Sequence, residues 1–276
     1  MIKLLEYIIL GFLQGVTEPI PVSSSGHLLI LKTILERFHS SLNIDYTTLA
    51  TITNFGSLIA IIMIYWSDIV TLIKSFFTYI FDKKKRKGEK NNFDYCIKII
   101  LATIPAGVFG LVATKLNLLD KLEENVKFIG FTLLITALFL FIIRNFKGKK
   151  EKYEITMKDA IIIGLYQMVS VIPGISRSGA TIVGGMFQNL KRSVAFNFSF
   201  IMYIPISIAT SILGIKDLIS LSITSSTAIL YVIAALVSLV FTYIFTKWFK
   251  KMVTDGKLIY FSVYCLFVGL LVIILL

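Results

Sequence analysis

Charge is the scarcest thing in this sequence. Asp, Glu, Lys and Arg supply 16% of its residues and the hydrophobic types 56%, against about 25% and roughly 45–50% in soluble globular domains. So few charges cannot coat a folded surface, which excludes an ordinary soluble domain of 276 residues. Cysteine is nearly missing as well. Cys96 and Cys265 sit in or beside apolar runs without metal-ligand spacing, so they read as packing residues and not as a disulfide or zinc framework. No surface of basic residues interleaved with aromatics is present, which removes nucleic acid from the expected partners despite a net charge of +12. No small-residue cleavage site precedes the first polar passage, so the N-terminal apolar run does not read as a removable signal peptide.

What the sequence does have is uncharged runs of about 17–20 residues, the length that crosses a hydrocarbon core, and a mean hydropathy of +0.83. Spans are predicted at 49–66, 97–114, 128–143, 198–214, 228–246 and 258–276, the second interrupted at Pro105. Tyr65, Trp66 and Trp248 fit interfacial anchors, and 68–81 reads as an amphipathic stretch. Lysine and arginine gather in the connectors 83–90, 144–158 and 247–257. That is the cytoplasmic excess of the positive-inside rule, with attraction to anionic membrane lipids as a by-product.

Two polar, proline-broken passages interrupt this apolar text. Residues 14–27 read QGVTEPIPVSSSGH and residues 167–181 read QMVSVIPGISRSGAT. With positions 11–26 laid over 164–179, six pairs are identical: Gly11/Gly164, Gln14/Gln167, Val16/Val169, Ser23/Ser176, Ser25/Ser178 and Gly26/Gly179. Thr17/Ser170 is conservative. The apolar run 2–13 is too short to span; Pro19 and Pro21 stop it, and Ser23, Ser24 and Ser25 supply caps for a short helix from about Gly26 to Arg37. A re-entrant hairpin fits this pattern, and such backbone survives at membrane depth only inside protein or beside a water-filled cavity. The second passage repeats it: apolar over 159–172, broken at Pro173 and Gly174, helical again toward Leu190.

The fold expected is therefore an all-α polytopic membrane protein, one membrane domain over 1–276, with repeat one at about 1–143 and repeat two at about 154–276. Each half holds one re-entrant helical hairpin and three transmembrane helices. Three crossings between the hairpins is an odd number, so the second enters from the opposite face: an inverted-topology repeat with its site near the midplane. By the same count the basic connectors share one side and both termini lie outside.

Ionisable residues inside membrane segments are costly, and their default reading is functional. Glu18, His27 and Arg177 are the three in the broken passages. Arg177 presents a planar fork suited to phosphate oxygens. Ser176, Ser178 and Thr181 stand at one helix start and Ser23, Ser24 and Ser25 at the other, where free amides and the dipole attract anions. Glu18 suits a base or a cation ligand, and His27 can accept or deliver a proton near neutral pH. Acid, base, hydroxyls and an arginine clamp are the ingredients of phosphate-ester or anhydride hydrolysis. The attacking atom is left open among Ser24, His27 and a water activated by Glu18, with His27 favoured as nucleophile or proton carrier and Glu18 as base or cation ligand.

The first passage fits [E/Q]-x-x-x-E followed by P-V-S-S-[ST]-G-H, and the second fits P-G-x-S-R-S-x-x-T. Together they resemble the undecaprenyl-pyrophosphate phosphatase (bacitracin-resistance) family. The resemblance runs the whole length, including Gly184-Gly185-Met186 and Phe198-Ser199-Phe200. It implies a multi-pass enzyme of the bacterial plasma membrane that hydrolyses undecaprenyl pyrophosphate to the monophosphate and phosphate. That reaction recycles the carrier for cell-wall glycans and lowers bacitracin sensitivity. It implies a site opening to the outer face, a divalent cation (magnesium or calcium), a polyprenyl pyrophosphate substrate and, as a further expected partner, a second copy in a homodimer. By position, Glu18 matches the second motif carboxylate and the tentative metal ligand, Ser24 and His27 the first loop, and Ser176, Arg177, Ser178 and Thr181 the second. Gln14 fills a place that is Glu or Gln in relatives, so Glu18 is the only carboxylate of the pair. Asn54 stands where many relatives carry Gln and would line the cavity through its amide; Gln167 agrees with the second half of the pattern.

His39, beside Ser40 and Ser41, reads as solvated, and the aromatic stripes read as packing or lipid-facing surface. The rival from another class is a polyprenyl-phosphate transporter or flippase, since carriers also use inverted repeats with broken helices. An ion channel is weaker, because a pore has no need of a serine-arginine-serine helix start.

Overall fold

The apolar runs fold as helices because a segment in hydrocarbon must satisfy its own backbone amides and carbonyls. The computed structural model describes residues 2–38, 45–119, 122, 125–220 and 224–276; His39 and its serines fall outside them. Among the described residues the chain is all helical, with no strands. The first hairpin is α1 (Ile2–Thr17) and α2 (Ser24–Phe38). Then come α3 (Tyr46–Ile64), α4 (Trp66–Phe81), α5 (Arg86–Lys115) and α6 (Val126–Ile143). A 3-10 turn (Lys152–Glu154) leads to α7 (Met157–Val169) and α8 (Arg177–Phe187), followed by α9 (Arg192–Ser220), α10 (Ser225–Thr254) and α11 (Ile259–Leu275).

Among the described residues five helices are long and apolar enough to cross a membrane: α3, α5, α6, the Arg192–Gly214 part of α9, and α10. The sixth predicted span, α11, is apolar but has 17 residues, about 26 Å at the helical rise. Several helices outrun their predicted spans, α9 (Arg192–Ser220 against 198–214) among them. Helix α5 begins inside the basic run at Arg86 and passes through Pro105 without ending, and α10 continues through Lys250 and Lys251 to Thr254. Lysine and arginine are good helix formers, so a helix need not stop where the apolar run does. A single proline removes one intrahelical bond, and α5 continues past it with Ala102 and Ala106 buried on one side and Ile104 and Val108 exposed on the other.

Helix α10 shows which way the bundle faces. Val232, Leu236, Val240 and Ile244 are exposed, whereas Ala234, Ser238, Thr242 and Thr246 on the opposite stripe are buried. Large apolar side chains outside and small polar ones inside invert the pattern of a soluble helix, and small or hydroxyl residues are what packed helices in lipid put between them. Ser57 Oγ of α3 lies 2.9 Å from Ser238 Oγ and 2.8 Å from Thr242 Oγ1, closing that seam.

Two equivalent glycines set how close the hairpins come to the long helices. α1 lies on α10 and α7 on α5. A Cβ on Gly11 would stand 2.4 Å from the Ala234 carbonyl oxygen, and one on Gly164 would stand 2.5 Å from that of Ala102. Gly164→Val should therefore force α7 off α5. Overpacking of this kind costs about 1–3 kcal/mol, or about 3–10 °C in the melting of a chain this size. Thermal unfolding in detergent checks it. Gly110→Val, in the same α5 but with nothing within 4 Å of its added carbon, should melt as wild type.

Candidate functional site

The α1–α2 and α7–α8 elbows meet. Prolines at 19 and 21 end the first helix, and Ser23 turns the chain with φ 68, a left-handed conformation that a non-glycine residue adopts only under constraint. In the second elbow Gly174 does the turning at φ 84, and a Cβ there would lie 2.0 Å from Thr132 Oγ1, so glycine alone fits. The contacts between the elbows are reciprocal. An added carbon on Gly26 would lie 3.4 Å from Gly174 Cα, and one on Gly179 would lie 3.2 Å from Pro21 Cβ. Gly26 and Gly179 are equivalent in the overlay, as are Pro21 and Gly174. Ser178 Oγ also donates to the Ile20 carbonyl at 3.3 Å.

Each elbow then starts a helix in the same way. Ser23 Oγ accepts from the Gly26 amide at 3.2 Å and lies 3.4 Å from Ser25 Oγ. Ser176 Oγ accepts from the Gly179 amide at 3.1 Å and lies 3.3 Å from Ser178 Oγ. Both serines act as N-caps. The next amides, those of Ser24, Ser25, Arg177 and Ser178, have no acceptor among the described residues. Two helix starts side by side, each with its first amides still free, place positive potential at one point.

Glu18 sits at that point. Its Oε2 accepts from Ser24 Oγ at 2.6 Å and from Gln14 Nε2 at 3.0 Å, and its Oε1 accepts from Arg177 Nη2 at 2.8 Å. Ser24 and Arg177 are the first residues of α2 and α8. One carboxylate is thus gripped by equivalent positions of both elbows. Glu18 and Arg177 side chains are 11% and 16% exposed, a polar pair reached by little solvent. The other guanidinium nitrogen, Arg177 Nη1, is buried and meets no acceptor among the described residues. An unmatched donor of that kind is costly in an apolar interior unless a ligand or water completes it.

The remaining sequence candidates are placed as follows. Both ring nitrogens of His27 are engaged, Nδ1 with the Ser23 carbonyl at 2.8 Å and Nε2 with Tyr264 Oη at 2.8 Å, and Glu18 is not among its partners. Tyr264 also lines an apolar groove of 410 Å³ with Ile20, Trp248 and Tyr260. Thr181 Oγ1 donates to the Arg177 carbonyl at 2.9 Å and pairs with Ser199, tying α8 to α9. Ser25 is exposed. Asn54 Oδ1 accepts from Tyr203 Oη at 2.9 Å. Gln167 is buried, and neither its amide oxygen nor its nitrogen has a partner among the described residues.

A magnesium or calcium ion needs six or more oxygens. Among the described residues Glu18 is the only carboxylate in this cluster, its oxygens already accept from Arg177, Ser24 and Gln14, and no three His, Cys, Asp or Glu side chains converge. The chain's own donors do not fit a resident cation bound without substrate. What the arrangement can do is receive a compact anion and hold a hydroxyl against a carboxylate that can take its proton. Sequence reasoning passed over Tyr203, whose ring centroid lies 3.9 Å from Arg177 Cζ, and Tyr264. The available signal was a phenol inside an apolar span, where its hydroxyl needs a partner.

A family model described as bacitracin resistance protein BacA matches residues 7–271. Undecaprenyl-diphosphatase 1 of Bacillus cereus is 42% identical over 272 residues, covering 99% of this chain and 97% of that protein. Undecaprenyl-diphosphatase 1 of Bacillus licheniformis is 43% identical over 271 residues, covering 98% and 97%. The undecaprenyl-diphosphatase of Acholeplasma laidlawii is 41% identical over 272 residues, covering 98% and 96%.

Proposed function

The chain belongs to the bacitracin resistance protein BacA family, and from that membership we propose that it hydrolyses undecaprenyl pyrophosphate to undecaprenyl phosphate and inorganic phosphate. The observation that carries the reading is the Glu18 carboxylate held between Ser24 and Arg177 at two helix starts whose first amides are free. The terminal phosphate enters against the amides of Ser24, Ser25, Arg177 and Ser178 and against Arg177 Nη1. Ser24 Oγ, 2.6 Å from Glu18, attacks the terminal phosphorus as Glu18 takes its proton. The bond from that phosphorus to the bridging oxygen breaks, and the oxygen leaves with the lipid phosphate, carrying off the proton that Glu18 accepted and leaving Glu18 a carboxylate again. Water then attacks the phosphoserine, gives a proton to Glu18, and Ser24 recovers its proton as inorganic phosphate departs. Arg177 and the amides meet the charge that builds on the phosphoryl oxygens. A divalent cation, if one takes part, would arrive on the pyrophosphate and would neutralise phosphate charge there, with Glu18 the one carboxylate near it among the described residues.

The reciprocal elbow contacts and the equivalent glycine seats of α1 and α7 support two equivalent repeats; in this reading their topologies are opposite, the elbows enter from opposite leaflets and the site opens outward. In this reading the enzyme lies in the bacterial plasma membrane and returns the glycan carrier to use, which also withdraws the lipid that bacitracin needs. Timed phosphate release tests it. Purified protein in detergent, given a polyprenyl pyrophosphate, should release one phosphate per lipid over many turnovers. A lipid carrier has no gradient to work on in micelles and would release none.

A further inference from the structure

Arg177 carries four rotatable bonds, and one ion pair to Glu18 does not fix where its free edge points. We propose that Tyr203 is the positioning residue for Arg177, and that Asn54 acts through Tyr203 and not on the substrate. This rests on the reading of the Glu18–Arg177 pair as a pyrophosphate site. The Tyr203 ring centroid lies 3.9 Å from Arg177 Cζ, and Tyr203 is 3% exposed. A guanidinium stacked on a buried ring is held by its face, so its donors are confined to one plane. Nη2 is spent on Glu18 at 2.8 Å, which leaves buried Nη1 as the donor for a ligand oxygen. The ring is itself pinned, because Tyr203 Oη donates to Asn54 Oδ1 at 2.9 Å across the α9–α3 contact. Four elements thus fix one nitrogen: α3 holds α9, α9 holds the face of Arg177, α8 holds its base and the first elbow holds its other edge.

The same two helices carry an internal control. Tyr65 Oη of the α3 C-cap donates to Asn197 Oδ1 of α9 at 3.1 Å, and Tyr65 is also 3% exposed. It makes the same kind of bond between the same helices without Arg177 as its partner. Tyr65→Phe and Tyr203→Phe therefore each remove one hydrogen bond between α3 and α9, and only the second removes one from a ring that stacks on Arg177.

The test uses the full chain in detergent, with inorganic pyrophosphate binding measured by calorimetry and turnover measured on a short prenyl pyrophosphate. Tyr203→Phe should weaken pyrophosphate about 5-fold, the loss of one hydrogen bond, and Asn54→Ala should match it. Tyr203→Leu, which removes the stacking face, should cost about 30-fold in Kd or in kcat/KM. Tyr65→Phe should leave both unchanged. In the Arg177→Ala background the Tyr203 changes should have no further effect on Kd. Equal losses with and without Arg177, or a Tyr65→Phe loss equal to that of Tyr203→Phe, would overturn the proposal, as would wild-type protein that does not bind pyrophosphate. If Tyr203→Leu does not fold, the Tyr203→Phe comparison decides alone. Wild-type protein that binds pyrophosphate but releases no phosphate defeats the hydrolase reading instead, and the binding cycle still judges Tyr203.

Discussion

Glu18→Gln is expected to lower phosphate release about 1,000-fold, within the range of a lost general base, while the protein keeps its fold. The amide is nearly the shape of the carboxylate and can still accept from Ser24 or Arg177, so the elbow need not rearrange. It cannot take the Ser24 proton. The loss should therefore fall on kcat, with KM moving far less, because Arg177 and the free helix amides still receive the phosphate. Pyrophosphate binding by the variant should be as tight as in wild type or tighter, since a negative charge has left an anion site. Burst kinetics discriminate further. If Ser24 is the attacking group, Ser24→Ala should match Glu18→Gln in the first turnover, and phosphate should never appear on the protein in either variant. Glu18→Gln retaining more than a tenth of wild-type kcat would place the base elsewhere.

Much of this site was legible because its residues break a pattern. Prolines and a serine run in an apolar chain announce a bent polar passage, and a repeated offset announces two of them. Glu18, Ser24, Gln14 and Arg177 come together as their types and positions suggested. What local sequence does not encode is the partner on a distant helix. His27 looked free to shuttle protons, yet its ring is engaged by Ser23 and by Tyr264, 237 residues away. Thr181 was expected at the phosphate, and its hydroxyl is engaged by the Arg177 carbonyl and by Ser199. Asn54 was legible as polar and inward, but the phenol that takes its oxygen lies 149 residues on. The helix ends at Arg86 and Thr254 were misjudged for a different reason: hydropathy marks where lipid ends, and backbone hydrogen bonding continues into water.

Arg177→Ala is expected to cost about 100–1,000-fold in kcat/KM, the loss from removing one positioned charge-stabilising donor, and Arg177→Lys should recover only a small part. An ammonium can pair with Glu18 but offers no planar second edge and stacks less well on Tyr203, so the donor at Nη1 is not replaced. Stability should separate from activity in a way that identifies the pair. Arg177→Ala leaves Glu18 charged at the elbow and should lower detergent melting by an amount equivalent to about 1–3 kcal/mol, the cost of a charged hydrogen bond left unmade. Removing both partners in Glu18→Ala/Arg177→Ala takes away the uncompensated charge as well, and a buried ion pair is worth little against neutral replacements. The double variant should then melt closer to wild type than either single variant while releasing no phosphate. Additive losses of stability would mean that the two side chains hold the elbows independently, and that the contact at 2.8 Å is not what joins them.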